Sequence, residues 1–150
     1  MKGYDARMKR GLALLKKLGQ RGPGLAVQKQ LYPDLYELSV GHLFGDIWTR
    51  PHLTLRERQI VTLAVNIGLV RPRGTPPHFR SALHLGFTKA EIMEIIIHAG
   101  TYAGWGAMGN AAHQFAEVLE DLEREKKEKR AAGGPRRVRR PGVRARRRRR

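Results

Sequence analysis

Residues 54–70 read TLRERQIVTLAVNIGLV, and this stretch carries the clearest fold signal in the sequence. Thr54 is followed three residues later by Glu57, immediately ahead of an apolar run. This spacing is typical of a capping box, in which each side chain accepts a hydrogen bond from the other residue's backbone N–H group. The residues that follow are apolar nearly all round the helix, which predicts a central helix buried on several sides.

Helical patterning continues upstream of this stretch. DARMKRGLALLKKLG (residues 5–19) spaces its apolar residues as a helix does and ends in Gly19, after which RGPG (21–24) breaks the chain. PDLYELSVGHLFGDIW (33–48) begins at Pro33 and stops before Pro51. Its inward-facing candidates are Leu35, Leu38, Phe44 and Ile47.

Downstream, TPPHFRSALHLG (75–86) predicts a helix that closes at Gly86. Thr88 and Glu91 repeat the capping box ahead of KAEIMEIIIHAGTYAG (89–104), and a last amphipathic segment runs from about residue 106 to residue 130. Nothing alternates with period two over a useful length. At 150 residues and 17.0 kDa, the chain is therefore expected to form one all-α helical domain of about six helices over residues 1–130.

The net charge of +17 is concentrated at one end of the chain. Residues 126–150 carry 14 Lys and Arg against one Glu, a net charge of +13, whereas the other 125 residues carry only +4. Residues 131–150 are rich in Arg, Pro and Gly, and we expect a disordered tail there. Two interpretations of this tail are open: a segment that binds nucleic acid or acidic surfaces, and a solvated appendage with no selected partner. Any binding would not read sequence, because the tail contains no aromatic residue that stacks on bases.

Two absences narrow the class of protein. The sequence contains no Cys, which excludes disulfides, thiolate nucleophiles and Cys-ligated zinc. It also contains no apolar run of about 18 residues, so no membrane span is expected. The N-terminus is charged and lacks the apolar core of a signal peptide, which predicts a cytoplasmic location.

Two longer stretches carry a family resemblance. They are FGDIWTRPHLTLRERQIVTLAVNIG (44–68) and RPRGTPPHFRSALHLGFTKAEIMEIIIHAGTYAGWGAMGNAAHQFAEVL (71–119). Their order and spacing, with Arg71–Pro72 ahead of His78 and Tyr102–Gly104 ahead of Asn110, resemble the carboxymuconolactone decarboxylase family, relatives of alkylhydroperoxidase D. The resemblance covers about residues 30–122 of this chain.

This resemblance implies a compact all-α fold, subunits that associate as trimers or hexamers, and active sites near the subunit contacts. The peroxidase branch of these proteins uses a CxxC pair, so a chain without Cys is excluded from thiol peroxidase chemistry. The other branch acts in aromatic catabolism without a cofactor and removes carbon dioxide from 4-carboxymuconolactone. The implied substrate is therefore a lactone acid or keto acid, and no cofactor or metal is expected.

The resemblance also suggests site residues. His78 matches the motif histidine and is either the proton donor, since a histidine titrates near neutral pH, or a polar residue at a helix terminus. Asp46 matches the acidic position and is the candidate supporting carboxylate, while Arg50 is a carboxylate clamp or an intersubunit ion pair. Two further candidates are Tyr102, as an oxyanion donor or a packing residue, and Trp48, as a substrate contact or a packing residue. Gly104 would let a ligand or a helix approach closely.

Three other residues bear on the choice of candidates. Glu57 is assigned to its capping box rather than to acid–base chemistry. Gln59 stands where many relatives carry Glu, and an amide cannot transfer a proton as a carboxylate can. His84 lies about 240° round the helix from His78, so the two rings cannot share a metal ion.

Two functions remain open at this stage. The first is a cofactor-independent lactone decarboxylase with His78 as proton donor. The second is a scaffold of the same fold that is non-catalytic or has a different specificity, tethered to nucleic acid or acidic partners by residues 131–150. Gln59 favours the scaffold, whereas the intact GDIWTRP motif favours the enzyme.

Overall fold

The computed structural model describes residues 2–20 and 23–132, and throughout these ranges the regular structure is helical. The helices are α1 (Lys2–Lys17), α2 (Pro23–Leu31), α3 (Pro33–Glu37), a π-helical segment (Leu38–Ile47) that continues α3, α4 (Leu55–Gly68), α5 (Thr75–His84), α6 (Lys89–Ala103) and α7 (Trp105–Ala132). The all-α prediction is confirmed. One helix was missed, because α2 begins within the stretch RGPG that was expected only to break the chain. Residues 133–150, nearly all of the predicted tail, lie outside the described residues.

The predicted helix boundaries rest on capping interactions that the structure contains. Thr54 with Glu57, and Thr88 with Glu91, each form a complete capping box at the start of α4 and α6. Gly19 follows the end of α1 with a positive φ of 71°, and the next amide, Gln20 N–H, donates to the carbonyl of Leu15 at 2.9 Å. Gly86 ends α5 in the same way, with φ 83°. Only Gly adopts this conformation without a steric cost, so both predicted ends are confirmed.

The segment over residues 33–48 differs from the uniform α-helix that was predicted. From Leu38 onward it winds as a π-helix, in which each N–H group bonds five residues back, as Trp48 N–H does to Leu43 O at 3.0 Å. The buried face of residues 38–48 contains Val40, Phe44 and Trp48. Of the four predicted inward residues only Phe44 is buried, whereas Leu35, Leu38 and Ile47 are exposed.

Two hydrophobic cores organise the described residues. The N-terminal core lies between α1 and the π-helical segment and contains Leu14, Leu15, Leu18, Val40, Phe44 and Trp48. The C-terminal core lies among α4, α5, α6 and α7 and contains Leu63, Ile67, Phe79, Ala82, Phe87, Ile92, Ile96, Ala111, Phe115 and Val118. Ion pairs reinforce the second core at its surface, since Arg80 joins α5 to Glu125 of α7 at 2.9 Å and Arg56 joins α4 to Glu91 of α6 at 2.6 Å.

The expectation that α4 is buried on several sides is wrong for the single chain. Leu63 and Ile67 are buried in the C-terminal core, but Val61 and Val65 on the opposite side are half exposed. The helix therefore has one buried face and one open apolar face.

The close approach of α1 to the π-helical segment gives a test of the N-terminal core. A Cβ atom on Gly11 would overlap the backbone oxygen of Val40, so Gly11→Ala should lower the free energy of unfolding by about 1–3 kcal/mol. Gly109 of α7 is the matched control, because a Cβ atom there meets nothing within 4 Å. Gly109→Ala should instead raise the free energy of unfolding by about 0.5–1 kcal/mol. Urea denaturation measures both values, and equal effects of the two changes would contradict the packing.

Candidate active site

His78 lies in the first turns of α5, where the sequence prepares a helix start. Thr75 precedes Pro76 and Pro77, and proline is tolerated here because the first N–H groups of a helix have no partner within the helix. The hydroxyl of Thr75 donates to the carbonyl of Arg71 at 2.7 Å and fixes the turn before the helix. The imidazole of His78 is therefore held close to the positive end of the α5 dipole.

Gln59 of α4 is the hydrogen-bonding partner of His78. Its side chain is fully buried, and its Nε2 donates to the backbone oxygen of His78 at 2.8 Å. The same nitrogen lies 3.3 Å from Nδ1 of the His78 ring. Gln59 was predicted only as a replaced carboxylate, and this contact was missed. The available signal was its place on the stripe of residues 59, 63 and 67, since a polar residue on a buried face needs a partner.

Trp48 covers the face of the His78 ring. The two rings are nearly parallel, at an interplanar angle of 16° with their centroids 6.2 Å apart. Trp48 is only 7% exposed and also packs against Phe44, so the indole belongs to the N-terminal core. Trp48 was predicted as a substrate contact or a packing residue. In the structure it packs in the N-terminal core and also lies beside the His78 ring.

Burial sets the charge state of His78. Removal of water from around the ring lowers the pKa of His78 below its usual value, because the charged form loses more hydration than the neutral form. The ring nevertheless remains partly accessible, since His78 is only half-buried. A partly accessible, neutral imidazole is a group that a ligand can reach.

A second polar contact on α5 joins the two cores. Ser81 is buried, donates to the carbonyl of Pro77 at 3.1 Å and accepts a hydrogen bond from Nε2 of Gln20 at 3.1 Å. His84 packs its ring against Gly19, where a Cβ atom would lie 2.7 Å from the ring. Neither Gln20 nor Ser81 was predicted from the sequence, because contacts between residues 61 positions apart leave no local pattern.

The structure does not bring Asp46 into contact with His78 within the described residues. Oδ1 of Asp46 accepts from Arg10 Nη2 at 2.8 Å, and Oδ2 lies 3.7 Å from Arg7 Nη1 and 3.8 Å from His42 Nδ1. These partners lie on α1 and on the π-helical segment itself. The contacts of Asp46 therefore hold α1 against that segment.

The other predicted site residues lie at the surface. Arg50 is exposed, and its carbonyl accepts from Arg58 Nη2 at 2.7 Å. Tyr102, near the end of α6, is 84% exposed and packs its ring against His98, with centroids 5.4 Å apart. Gly104 ends α6 with a positive φ of 104°, beside the 85% exposed Trp105. In the described residues of one chain, none of these groups contacts His78.

Two open clefts lie outside the His78 site. One, of about 490 Å³, is lined by α1, α2 and α3 and includes Leu12, Lys16, Lys29 and Tyr36. The other, of about 370 Å³, lies between α4 and α6 and includes Ile60, Phe87, Ile95 and His98. Neither includes His78.

Metal-ligand groups and membrane spans are both absent from the part of the chain that the structure describes. Among residues 2–20 and 23–132, no three His, Asp or Glu side chains are grouped as metal ligands would be. Within the same ranges, no helix combines the length and the apolar character that crossing a bilayer requires.

Fold and site together define a class: an all-helical, cysteine-free protein with a half-buried histidine between two cores. The model of the carboxymuconolactone decarboxylase family matches residues 33–117. The chain belongs to this family.

Two curated relatives extend the comparison. The chain is 39% identical over 79 residues to 4-carboxymuconolactone decarboxylase of Acinetobacter baylyi, an alignment that covers 53% of this chain and 59% of the relative. It is 30% identical over 86 residues to nitrosuccinic acid decarboxylase of Metarhizium robertsii, covering 57% of this chain and 60% of the relative. The similarity thus spans less than two thirds of either relative. Both relatives are named as decarboxylases, which makes this a decarboxylase-like family.

The lowered pKa of His78 predicts a pH dependence of stability. The unfolded chain takes up a proton near the ordinary value of 6.5, whereas the folded chain does so only at lower pH. The contribution of His78 to the free energy of unfolding is therefore fully present above pH 6.5, and it is lost as pH falls through the pKa of His78 in the folded chain. Urea denaturation of wild type and His78→Gln between pH 8 and pH 5 should show a steeper loss in wild type. Parallel curves for the two proteins would contradict the desolvated ring.

Proposed function

We propose that this protein is a cofactor-independent decarboxylase of a small carboxylic acid, with His78 as the protic group that faces the substrate. The observation that supports this most directly is the His78 imidazole, which is stacked on Trp48, bound by Gln59 and still partly accessible. The names of the two relatives supply the reaction class, and the resemblance indicates a lactone acid or keto acid as substrate.

The proposed reaction needs a group of this kind. When the bond to the carboxylate breaks, carbon dioxide leaves and the bonding electrons move onto an oxygen of a conjugated carbonyl or nitro group. A donor must stabilise that oxygen, and a proton must then add to carbon. His78 serves at this point, in the protonated form as the proton donor that the sequence suggested or in the neutral form as a hydrogen-bond donor. Arg50 remains the candidate for holding a substrate carboxylate, and Asp46, Tyr102 and Gly104 remain predictions.

A direct assay tests the proposal. Purified protein should release carbon dioxide from 4-carboxymuconolactone or nitrosuccinic acid, and His78→Ala should lower kcat/KM by about 10²- to 10⁴-fold. His113→Ala is the matched control, because His113 lies on α7 with a largely exposed side chain and pairs with Glu117. Its kcat/KM should equal that of wild type.

The outcome also decides between the two functions left open by the sequence. If wild type, with the far-ultraviolet circular dichroism of a folded helical protein, releases no carbon dioxide from these acids or from related lactone and keto acids, the decarboxylase proposal is wrong. The scaffold with a basic tail is then the better description.

The same proposal includes self-association. Val61 and Val65 of α4 and Leu69, which directly follows α4, are spaced four residues apart, and each is about half exposed. Ile97 of α6 and Trp105 of α7 are further exposed apolar side chains of the same half of the chain. An apolar surface of this kind is typical of a protein–protein interface. The family resemblance indicates that a second copy of this chain covers it.

Light scattering after size-exclusion chromatography measures the assembly. Wild type should elute as a trimer or hexamer, and Val65→Glu should shift the mass toward the monomer because it places a charge on the α4 face. Leu38→Glu is the control, since Leu38 is equally exposed but lies on the π-helical segment. A monomeric wild type, or an equal response to both changes, would overturn this part of the proposal.

A further inference from the structure

The orientation of the Gln59 amide is fixed by the backbone of His78. The carbonyl oxygen of His78 has no hydrogen and only accepts hydrogen bonds, so the atom that lies 2.8 Å from it must be the amide nitrogen. A rotated amide would put Oε1 against this oxygen, with two acceptors facing each other in a buried place. Gln59 therefore presents its NH2 group toward His78 and keeps Oε1 on the other side.

This orientation determines where His78 carries its proton. The NH2 group has two hydrogens, of which one points to the carbonyl oxygen and the other faces Nδ1 at 3.3 Å. Nδ1 must then be an acceptor, with its lone pair toward Gln59. In a neutral imidazole, the other nitrogen holds the proton, so the ring is the Nε2–H tautomer.

The same contact opposes the positively charged ring. Protonation of Nδ1 would bring an N–H group against the NH2 group of Gln59, and neither group has an acceptor to offer. Burial, which lowers the pKa of His78, acts in the same direction. The nearby positive end of the α5 dipole does so as well.

Charged groups on the neighbouring elements do not counteract this effect. From the π-helical segment the ring faces Trp48, and from α4 it faces Gln59. Arg80, the next charged residue on α5, turns to α7 and pairs with Asp121 and Glu125. Within the described residues, no ion pair includes His78 and no charged group contributes to its lowered pKa.

Nε2 is the nitrogen that a ligand can reach. It has no hydrogen-bonding partner among the described residues, and it is not one of the buried polar atoms without a partner. It is therefore not fully buried, and its N–H group points away from the amide that binds Nδ1.

We propose, resting on the decarboxylase function above, that Gln59 is a positioning residue that keeps His78 neutral with its proton on Nε2. His78 then acts as a hydrogen-bond donor to the oxygen that becomes negative. The carbon–carboxylate bond breaks, carbon dioxide leaves, and the electron pair passes through the new C=C bond onto the carbonyl oxygen, which Nε2–H stabilises. Water supplies the proton that finally adds to carbon, the remaining hydroxide combines with the released carbon dioxide as bicarbonate, and His78 keeps its own proton throughout.

Nitrogen NMR of the side chain tests the first half of this proposal without any substrate. In ¹⁵N-labelled protein, with the signals of His78 assigned by their loss in His78→Gln, wild type should show a protonated Nε2 and an unprotonated Nδ1 at neutral pH. A predominantly Nδ1–H ring, or an imidazolium at pH 7, would overturn the proposal.

Substitutions at residue 59 show whether Gln59 positions His78 or only fills space beside it. Gln59→Glu places an acceptor and a negative charge beside Nδ1, and this should raise the pKa of His78 by about 1–3 and protonate Nδ1. Gln59→Met fills the same space without a donor, and its His78 should also titrate at higher pH than in wild type. Gln114→Met is the matched control, because Gln114 is likewise buried with an unpartnered Oε1 but lies on α7. It should leave the His78 signals unchanged, and an unchanged titration in Gln59→Glu would contradict the positioning role.

The pH profile of the reaction tests the second half. If neutral His78 is the active form, kcat/KM falls as pH drops below the pKa of His78 that NMR measures, and it is maintained above that pKa. If imidazolium is the active form, kcat/KM falls as pH rises through the same pKa, and the neutral-donor mechanism is wrong. Absence of activity with every acid would refute the decarboxylase function and with it the neutral-donor mechanism. The NMR measurement would then still decide, on its own, whether Gln59 fixes the tautomer of His78.

Discussion

The stacked rings of Trp48 and His78 are the contact on which the site depends, because they lie where the two hydrophobic cores meet. Trp48 is anchored in the N-terminal core by Phe44, and His78 is anchored in the C-terminal half of the chain by Gln59 of α4. A side chain in the middle of a single core would be inaccessible, whereas one on an outer surface would stay hydrated. A position between two cores gives both partial burial and partial access. The Gln20–Ser81 hydrogen bond and the packing of His84 on Gly19 hold the same two halves together nearby.

The parts of this structure that the sequence predicted are those specified by local chemistry. Capping boxes at Thr54 and Thr88 and positive-φ glycines at 19 and 86 act within a few residues, so their spacing alone locates helix ends. The π-helical winding after Leu38 was not predictable in this way. The segment packs closely against α1, where Gly11 and Gly45 have no side chains to separate the two backbones. The buried face of the segment is the one that meets Leu14, Leu15 and Leu18 of the N-terminal core, and contacts between residues far apart in the sequence leave no local pattern.

In the candidate site too, the residue that belongs to a local motif was predicted, and the contacts between distant residues were not. His78 was identified from its motif, whereas Gln59 was missed: its place on the buried stripe of α4 indicates that it needs a partner, but not that this partner is His78. Asp46 was predicted from the same motif, yet its observed partners are Arg7 and Arg10 of α1. A carboxylate held by two cations from a neighbouring helix already has a structural role. The expectation that α4 is buried on several sides was wrong for one chain, because α4 has apolar residues that remain exposed. These exposed residues agree with the proposed self-association.

An amide at residue 59 and a carboxylate at the same place would have different effects on the neighbouring histidine. A carboxylate beside Nδ1 would accept a hydrogen bond from a protonated Nδ1 and favour imidazolium, whereas the amide NH2 donates a hydrogen bond and favours the neutral form. The backbone oxygen of His78 enforces this difference, because it is an acceptor that tolerates an N–H group and repels a carboxylate oxygen. An imidazole held neutral has a weakly acidic N–H group that stabilises negative charge without transferring its proton. Gln59 is therefore consistent with decarboxylation, provided that the reaction needs a stabilised oxyanion more than it needs an acid.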